Sequence, residues 1–144
     1  MHATSIAASD VADRLELEQL VARVGQCLDD GRYDDLRTIY TDDAVADTPG
    51  GRAEGIDAVV AQARRSHERF AAVHHLITGT TAEVDGDHAH VRAEYVAVFR
   101  QDAAAPMLAQ GASYRFTARR TTAAWRLASV TSLPRWRWGD LPAP

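Results

Sequence analysis

Two adjacent histidines, His74-His75, open the most strand-like stretch of the chain, VHHLITGTTAEVDGDHAHVRAEYVAVFR from Val73 to Arg100. An imidazole takes and returns a proton near neutral pH, so a histidine that faces a pocket is a candidate general base. Neighbours on a strand point to opposite faces, so only one of the two can enter a pocket formed over the sheet. Asp29 is a second candidate. It closes a helical stretch and lies about 80° around the wheel from Val21, at the edge of the apolar stripe, while Asp30 lies opposite. A carboxylate at that edge can look into a cavity lined by the stripe; its ordinary alternative is a helix end in water. His88 and His90 form an HxH pair on one strand face, a weak zinc signal without a third close ligand. Glu94 shares their parity and is a candidate inward carboxylate, or else an arginine partner. His67 falls on the apolar stripe of a later helix, where packing is the simpler role and the pocket rim the alternative. Cys27, among apolar helix residues, reads as buried filler.

Composition narrows the chemistry. The 144 residues carry 46% hydrophobic and 25% charged side chains, a globular balance with length for a real core. All 16 basic residues are arginines, which excludes a lysine Schiff base and an internal lysine anchor for pyridoxal phosphate. A formal charge of −4 offers no general attraction to nucleic acid. Arg135-Trp136-Arg137-Trp138 alternates cations and aromatics that could stack on bases, but without a basic surface elsewhere a terminal strand closing over the core is the preferred reading. No apolar run approaches a membrane span, no secretory pattern opens the chain, and there is a single cysteine. A cytoplasmic protein that handles a small molecule, without metal or cofactor and without nucleic-acid or membrane partners, is the expectation.

The elements that must position these groups follow from periodicity. Residues 1–8 read as a flexible tail, and residues 9–144 as one domain. Ser9 is the expected N-cap of a first helix whose Leu17, Leu20, Val21, Val24 and Leu28 form one stripe, ended by Gly31. A short second helix is expected over Tyr33–Tyr40, broken by Thr41-Asp42-Asp43. A short strand at Ala44–Ala46 and a turn over Asp47–Gly51 should follow. A third helix after Gly55 places Ile56, Val59, Val60, Ala63, His67 and Phe70 in register. Four strands are expected at 73–84, 88–100, 108–119 and 124–138, the first two joined at Asp85-Gly86-Asp87, with loops at Gln101–Pro106 and Thr121-Thr122. Helices first and antiparallel strands after predict an α+β fold, a curved sheet wrapped around about three helices with an apolar pocket between. Tyr95, Ala97 and Phe99 alternate with Val96 and Val98, so both sheet faces are apolar. A two-fold partner is the expected cover, which makes a homodimer.

The order of LDDGRYDDLRTIYTDDAVAD, GRAEGIDAVVAQA, HHLITGTTAEVDGDHAHVRAEYVAVF and AWRLASVTSLPRWRWGD resembles the NTF2-like, SnoaL-like superfamily. Within it, the chain is most similar to the scytalone dehydratase and bile-acid 7α-dehydratase branch. That resemblance implies a cone-shaped fold and a catalytic pair, Asp29 with His75, in which the histidine is the base and the aspartate sets its tautomer. It implies a dehydratase, isomerase or cyclase acting on a carbonyl-containing, polyketide-like substrate; the same fold also carries non-catalytic binding and protein-interaction domains. The chain departs from the dehydratases where their tyrosines polarise the substrate, having Leu28 and Thr48 at those places. A second pocket histidine of the fungal enzyme falls near Arg100, which cannot act as an acid at neutral pH but could bind a carboxylate or enolate. Tyr40 and Tyr114 are the candidates for the missing hydroxyl. Thr48, Glu94, Val96 and Trp136 complete the expected substrate-binding set.

Overall fold

The computed structural model describes residues 7–102 and 107–139. The expected tail (through residue 6), most of the Gln101–Pro106 loop, and residues 140–144 lie outside them. The first helix, α1, runs Ala8–Asp29, with Ala7 and not Ser9 at its N-cap and no side-chain cap. Its stripe, Leu17, Leu20, Val21, Val24 and Leu28, is buried throughout, and the helix stops where Gly31 takes φ +70°. The predicted second α-helix is a 3₁₀ turn, Tyr33–Thr38, because the chain must straighten into a strand at Tyr40. That strand, β1, spans Tyr40–Thr48. It absorbs the Thr41-Asp42-Asp43 segment that reads as a break and outruns the expected strand at Ala44–Ala46. A hairpin then returns through β2, Gly51–Glu54, where only a loop was expected. Helix α2, Ile56–His67, ends before Phe70.

Four long strands follow, β3 Ala72–Asp85, β4 His88–Arg100, β5 Met107–Arg120 and β6 Trp125–Trp138. All six strands form one sheet in the order β2-β1-β6-β5-β4-β3. The long strands pair antiparallel in sequence order, whereas β1 lies parallel to β6, so the chain's early strand is locked to its last. The β3–β4 reversal uses one left-handed residue, Gly86 at φ +59°. Irregular registers in β3 (Thr78/Thr81) and in the β5–β6 pair (Gly111/Ala112) add bend, as bulges do.

The inner face of the curved sheet carries Val91, Ala93, Tyr95, Ala97, Tyr114, Phe116, Leu127 and Val130 against the stripe of α1. Asp13 of α1 ties the helix to the end of the sheet: it accepts both terminal nitrogens of Arg120 at 2.9 Å and the indole N–H of buried Trp125 at 3.0 Å. Glu16, one turn on, accepts the Trp125 backbone N–H at 2.9 Å. Between α2, the 3₁₀ turn and the sheet the two layers do not close, which leaves a cavity. Among the described residues no helix is long and apolar enough to cross a membrane.

Candidate active site

Asp29 and His75 meet at the edge of the sheet. β3 is an edge strand, so the His75 N–H that points away from β4 has no ladder partner. The Asp29 carboxylate, delivered by the last turn of α1, accepts it with both oxygens, at 2.9 and 3.0 Å. The same carboxylate stands 2.6 Å from His75 Nδ1. A carboxylate only accepts, so Nδ1 carries the proton, and in the neutral ring Nε2 is then the acceptor. The imidazole side chain is 2% exposed and Asp29 19%, so the pair sits behind the cavity wall with the carboxylate reaching toward water. Gly25 makes this approach possible. A Cβ there would come within 2.8 Å of the Ile77 tip and 3.6 Å of the His75 Cβ, so a larger residue would have to push the Ile77 side chain aside.

His75 lines a cavity of about 330 Å³, whose other lining groups are mostly apolar, including Val24, Leu36, Val59, Phe70, Phe99 and Leu108. The volume is at the small end of ligand sites. His67 also lines it, its ring centroid 5.6 Å from that of His75. Its Nδ1 lies 2.7 Å from the Ala63 carbonyl, so that nitrogen donates and Nε2 is left as an acceptor. Burial lowers the His67 pKa, with the Ala63 carbonyl opposing it, which keeps the ring neutral. The expected packing role for His67 therefore gives way to a place in the cavity wall.

A second polar group faces the dyad. Tyr95, 5.6 Å from His75 between ring centroids, shares a 2.7 Å hydrogen bond with Ser132, and Gln110 donates to the Tyr95 oxygen at 3.3 Å. Whichever hydroxyl donates within the Tyr95–Ser132 pair, the other keeps a free O–H. The cluster therefore always holds one proton available to a ligand oxygen. Gln110 and Ser132 carried no signal in the sequence, because their meeting depends on the register of three strands; Tyr95 showed only its alternation.

Of the expected substrate-binding residues, Tyr40, Thr48 and Tyr114 line the cavity. Burial raises the pKa of both tyrosines, so they remain phenols; Tyr114 stacks on Tyr95 with centroids 4.2 Å apart. Glu94, Val96, Arg100 and Trp136 do not line it. Tyr95 and Phe99 point inward, and strand alternation turns 94, 96 and 100 to the outer face. There Glu94 accepts a hydrogen bond from Ser113 at 2.7 Å and pairs with Arg92 at 3.1 Å; the Ser113 bond foremost holds its pKa below the usual value. Trp136 lies over Gly111 on the same outer face, 49% exposed. His74 is exposed there too, and His88 and His90 are exposed beside the turn. Among the described residues no three His, Cys, Asp or Glu side chains are grouped to hold a metal ion. Cys27 is buried, and desolvation pushes its thiol pKa up, away from a reactive thiolate.

Several known proteins share this architecture. A protein of Kribbella flavida superposes with a TM-score of 0.82 at 26% identity, covering 89% of this chain and 94% of that one. A scytalone dehydratase-like protein of Novosphingobium aromaticivorans gives a TM-score of 0.85 at 16% identity, over 96% and 94% of the two chains. A hexachlorocyclohexane dehydrochlorinase of Novosphingobium barchaimii gives 0.80 at 17% identity, over 93% and 96%. At such identities the last two show the fold alone. An uncharacterized protein of Mycobacterium tuberculosis is 29% identical over 92 residues, and the match spans about 60% of each chain. The model of the SnoaL-like domain matches residues 9–131, nearly all of α1 through the first half of β6. The chain belongs to the SnoaL-like domain family.

Proposed function

We propose that the chain is an enzyme that needs no cofactor and moves a proton next to a carbonyl group in a small, mostly apolar compound. The observation that carries this is the Asp29–His75 contact, which leaves Nε2 as the acceptor on a ring that lines an apolar cavity. His75 Nε2 takes the proton from the carbon beside the carbonyl, and the C–H electrons move into an enolate. Asp29 holds the Nδ1–H and offsets the charge of the imidazolium that forms. The spare hydroxyl proton of the Tyr95–Ser132–Gln110 cluster, beside His75 on the same cavity wall, hydrogen-bonds the oxygen on which negative charge grows.

From the enolate three outcomes balance. Loss of a β-substituent with its electron pair is elimination. Return of the proton to another carbon is isomerisation, and attack on a second carbonyl is cyclisation. The structural neighbours include a scytalone dehydratase-like protein and a dehydrochlorinase, both named for eliminations, which favours the first outcome.

Deuterium exchange tests the shared first step whatever the full reaction. A panel of cyclic and aryl ketones in D₂O is followed by proton NMR for loss of the α-hydrogen signal. Wild-type protein should accelerate exchange for members that fit the cavity. His75→Gln should lower the rate by about 10²–10⁴-fold. Asp29→Asn should lower it too, and the double variant should be little worse than His75→Gln alone, since the two act as one unit. Unchanged exchange in His75→Gln would refute the base assignment and leave a binding domain.

A further inference from the structure

The charges around the cavity are one-sided. The chain has 20 acidic residues against 16 arginines, yet among the described residues no carboxylate lines the cavity, while two guanidiniums, Arg69 and Arg137, do. Arg32, Arg37, Arg119 and Arg120 are ion-paired, to Asp35, Asp57, Asp43 and Asp13, while Arg14, Arg23, Arg65, Arg115 and Arg126 make no ion pair among the described residues but do not line the cavity. Arg69 and Arg137 make no ion pair among the described residues, and both are exposed, which places them at the mouth. Arg69 is held against the cavity wall. The Arg69 guanidinium lies 4.7 Å over the ring of Phe70, a wall residue packed on Phe99 at 5.0 Å. Stacking of this kind covers a guanidinium face and leaves its N–H edge free for a planar anion. Arg137 stands in register with Gln110, on the inner face beside the Tyr95 cluster. Two cations without an ion pair among the described residues, at the opening of an apolar cavity whose neighbouring carboxylate, Asp29, is engaged by His75, favour an anion at the mouth.

We propose that the cavity takes an apolar molecule bearing one anionic group, a carboxylate or sulfonate, which stays at the mouth against Arg69 and Arg137 while the apolar body goes inward. The inference rests on the proposed function only in setting which end meets His75: the carbonyl lies deep, the anion outside. Two arginines reading one carboxylate give orientation as well as affinity, because the fork geometry fixes the plane of the group.

Two fluorescent probes that differ by one charged group test this. 1-Anilinonaphthalene-8-sulfonate carries the anion, and N-phenyl-1-naphthylamine is the neutral body. The sulfonate should displace the amine from the wild-type protein. The Arg69→Gln/Arg137→Gln double variant should weaken sulfonate binding by about five- to twentyfold and leave the amine within about twofold. Raising NaCl from about 50 to about 500 mM should weaken the sulfonate in wild type and have little effect in the variant. Unchanged sulfonate affinity in the variant, equal loss of both probes, or failure of the sulfonate to displace the amine would each overturn the proposal. His75→Gln separates this from the base reading: it should abolish ketone exchange and keep the sulfonate affinity. Exchange that survives while the arginines still select the sulfonate removes the base and leaves the anion site standing.

Discussion

Removing the Asp29 carboxylate should destabilise the fold as well as stop chemistry, because it has two donors to satisfy. Asp29→Ala strands the His75 backbone N–H and the His75 Nδ1–H together. Hydrogen bonds to a charged acceptor contribute about 1.5–3 kcal/mol each, so the pair amounts to roughly 3–6 kcal/mol if nothing replaces it. Asp29 is 19% exposed, so water can enter the vacated space and reach one donor, which brings the expectation to about 2–4 kcal/mol. Asp29→Asn keeps an oxygen for one donor but turns an N–H₂ toward the other, at about 1–2 kcal/mol. Urea unfolding followed by tryptophan fluorescence measures this. With a slope of about 2 kcal/mol/M, Asp29→Ala should lower the midpoint by roughly 1–2 M at unchanged slope. Hydrogen exchange at the residue-75 amide locates the effect: fast in Asp29→Ala, still slow in His75→Gln, where the carboxylate remains to accept it. A loss below about 1 kcal/mol, or a slow amide in Asp29→Ala, would show that the carboxylate does not hold the edge of β3.

Tyr95→Phe should reduce ketone exchange by about tenfold while leaving folding intact, and Ser132→Ala by a similar or smaller factor, since each removes one member of the donor cluster; wild-type exchange rates in both would exclude the cluster. The pKa of Asp13 is held below its ordinary value of 3.8, first by the Arg120 hydrogen bonds and then by the Trp125 indole. A depressed folded-state pKa stabilises above the unfolded value and is lost as pH falls through the folded one. Asp13→Asn should therefore be destabilised at pH 7, and its deficit against wild type should shrink below about pH 4 in thermal melts. The outer sheet face exposes Leu76, Leu133, Trp136 and Trp138, a patch expected to be covered by a second copy of the chain. Sedimentation at micromolar concentration should give a dimer for wild type and more monomer for Trp136→Ala/Trp138→Ala, with His74→Ala disturbing assembly more than exchange.

The long elements could be read from residue order because their signals are local. The α1 stripe, the Val- and Tyr-rich strands and the turn at Gly86 need no partner to be recognised. Asp29 and His75 stood out one by one, on a stripe edge and a strand start, but their distance depends on how α1 lies on β3. Where local signals and tertiary pairing disagreed, pairing won. Thr41-Asp42-Asp43 has turn-forming residues yet lies within β1, and the break shows only as a register shift between Tyr40 and Val45 in the parallel pairing with β6. The same limit governs the faces. Alternation separates Glu94 and Val96 from Tyr95, but which set looks inward is decided by where the helices land. Gln110 and Ser132 were invisible for the same reason. Trp136 needed knowledge of Gly111, the one position across from it that could admit its ring.

The parallel pairing of β1 with β6 has a consequence during synthesis. The nascent chain holds α1, both ends of the Asp29–His75 contact and the β3–β4 hairpin well before β6 leaves the ribosome. Until then β1 has no long-range neighbour, Asp13 and Glu16 lack Trp125, and Val130 and Ser132 are missing from the cavity wall. A chain halted before Trp125 would therefore display the apolar stripe of α1 and an open β5 edge at once, a surface suited to chaperones and to aggregation. The cavity wall is completed only when β6 joins the sheet, so a finished cavity reports that β1 and β6 have paired.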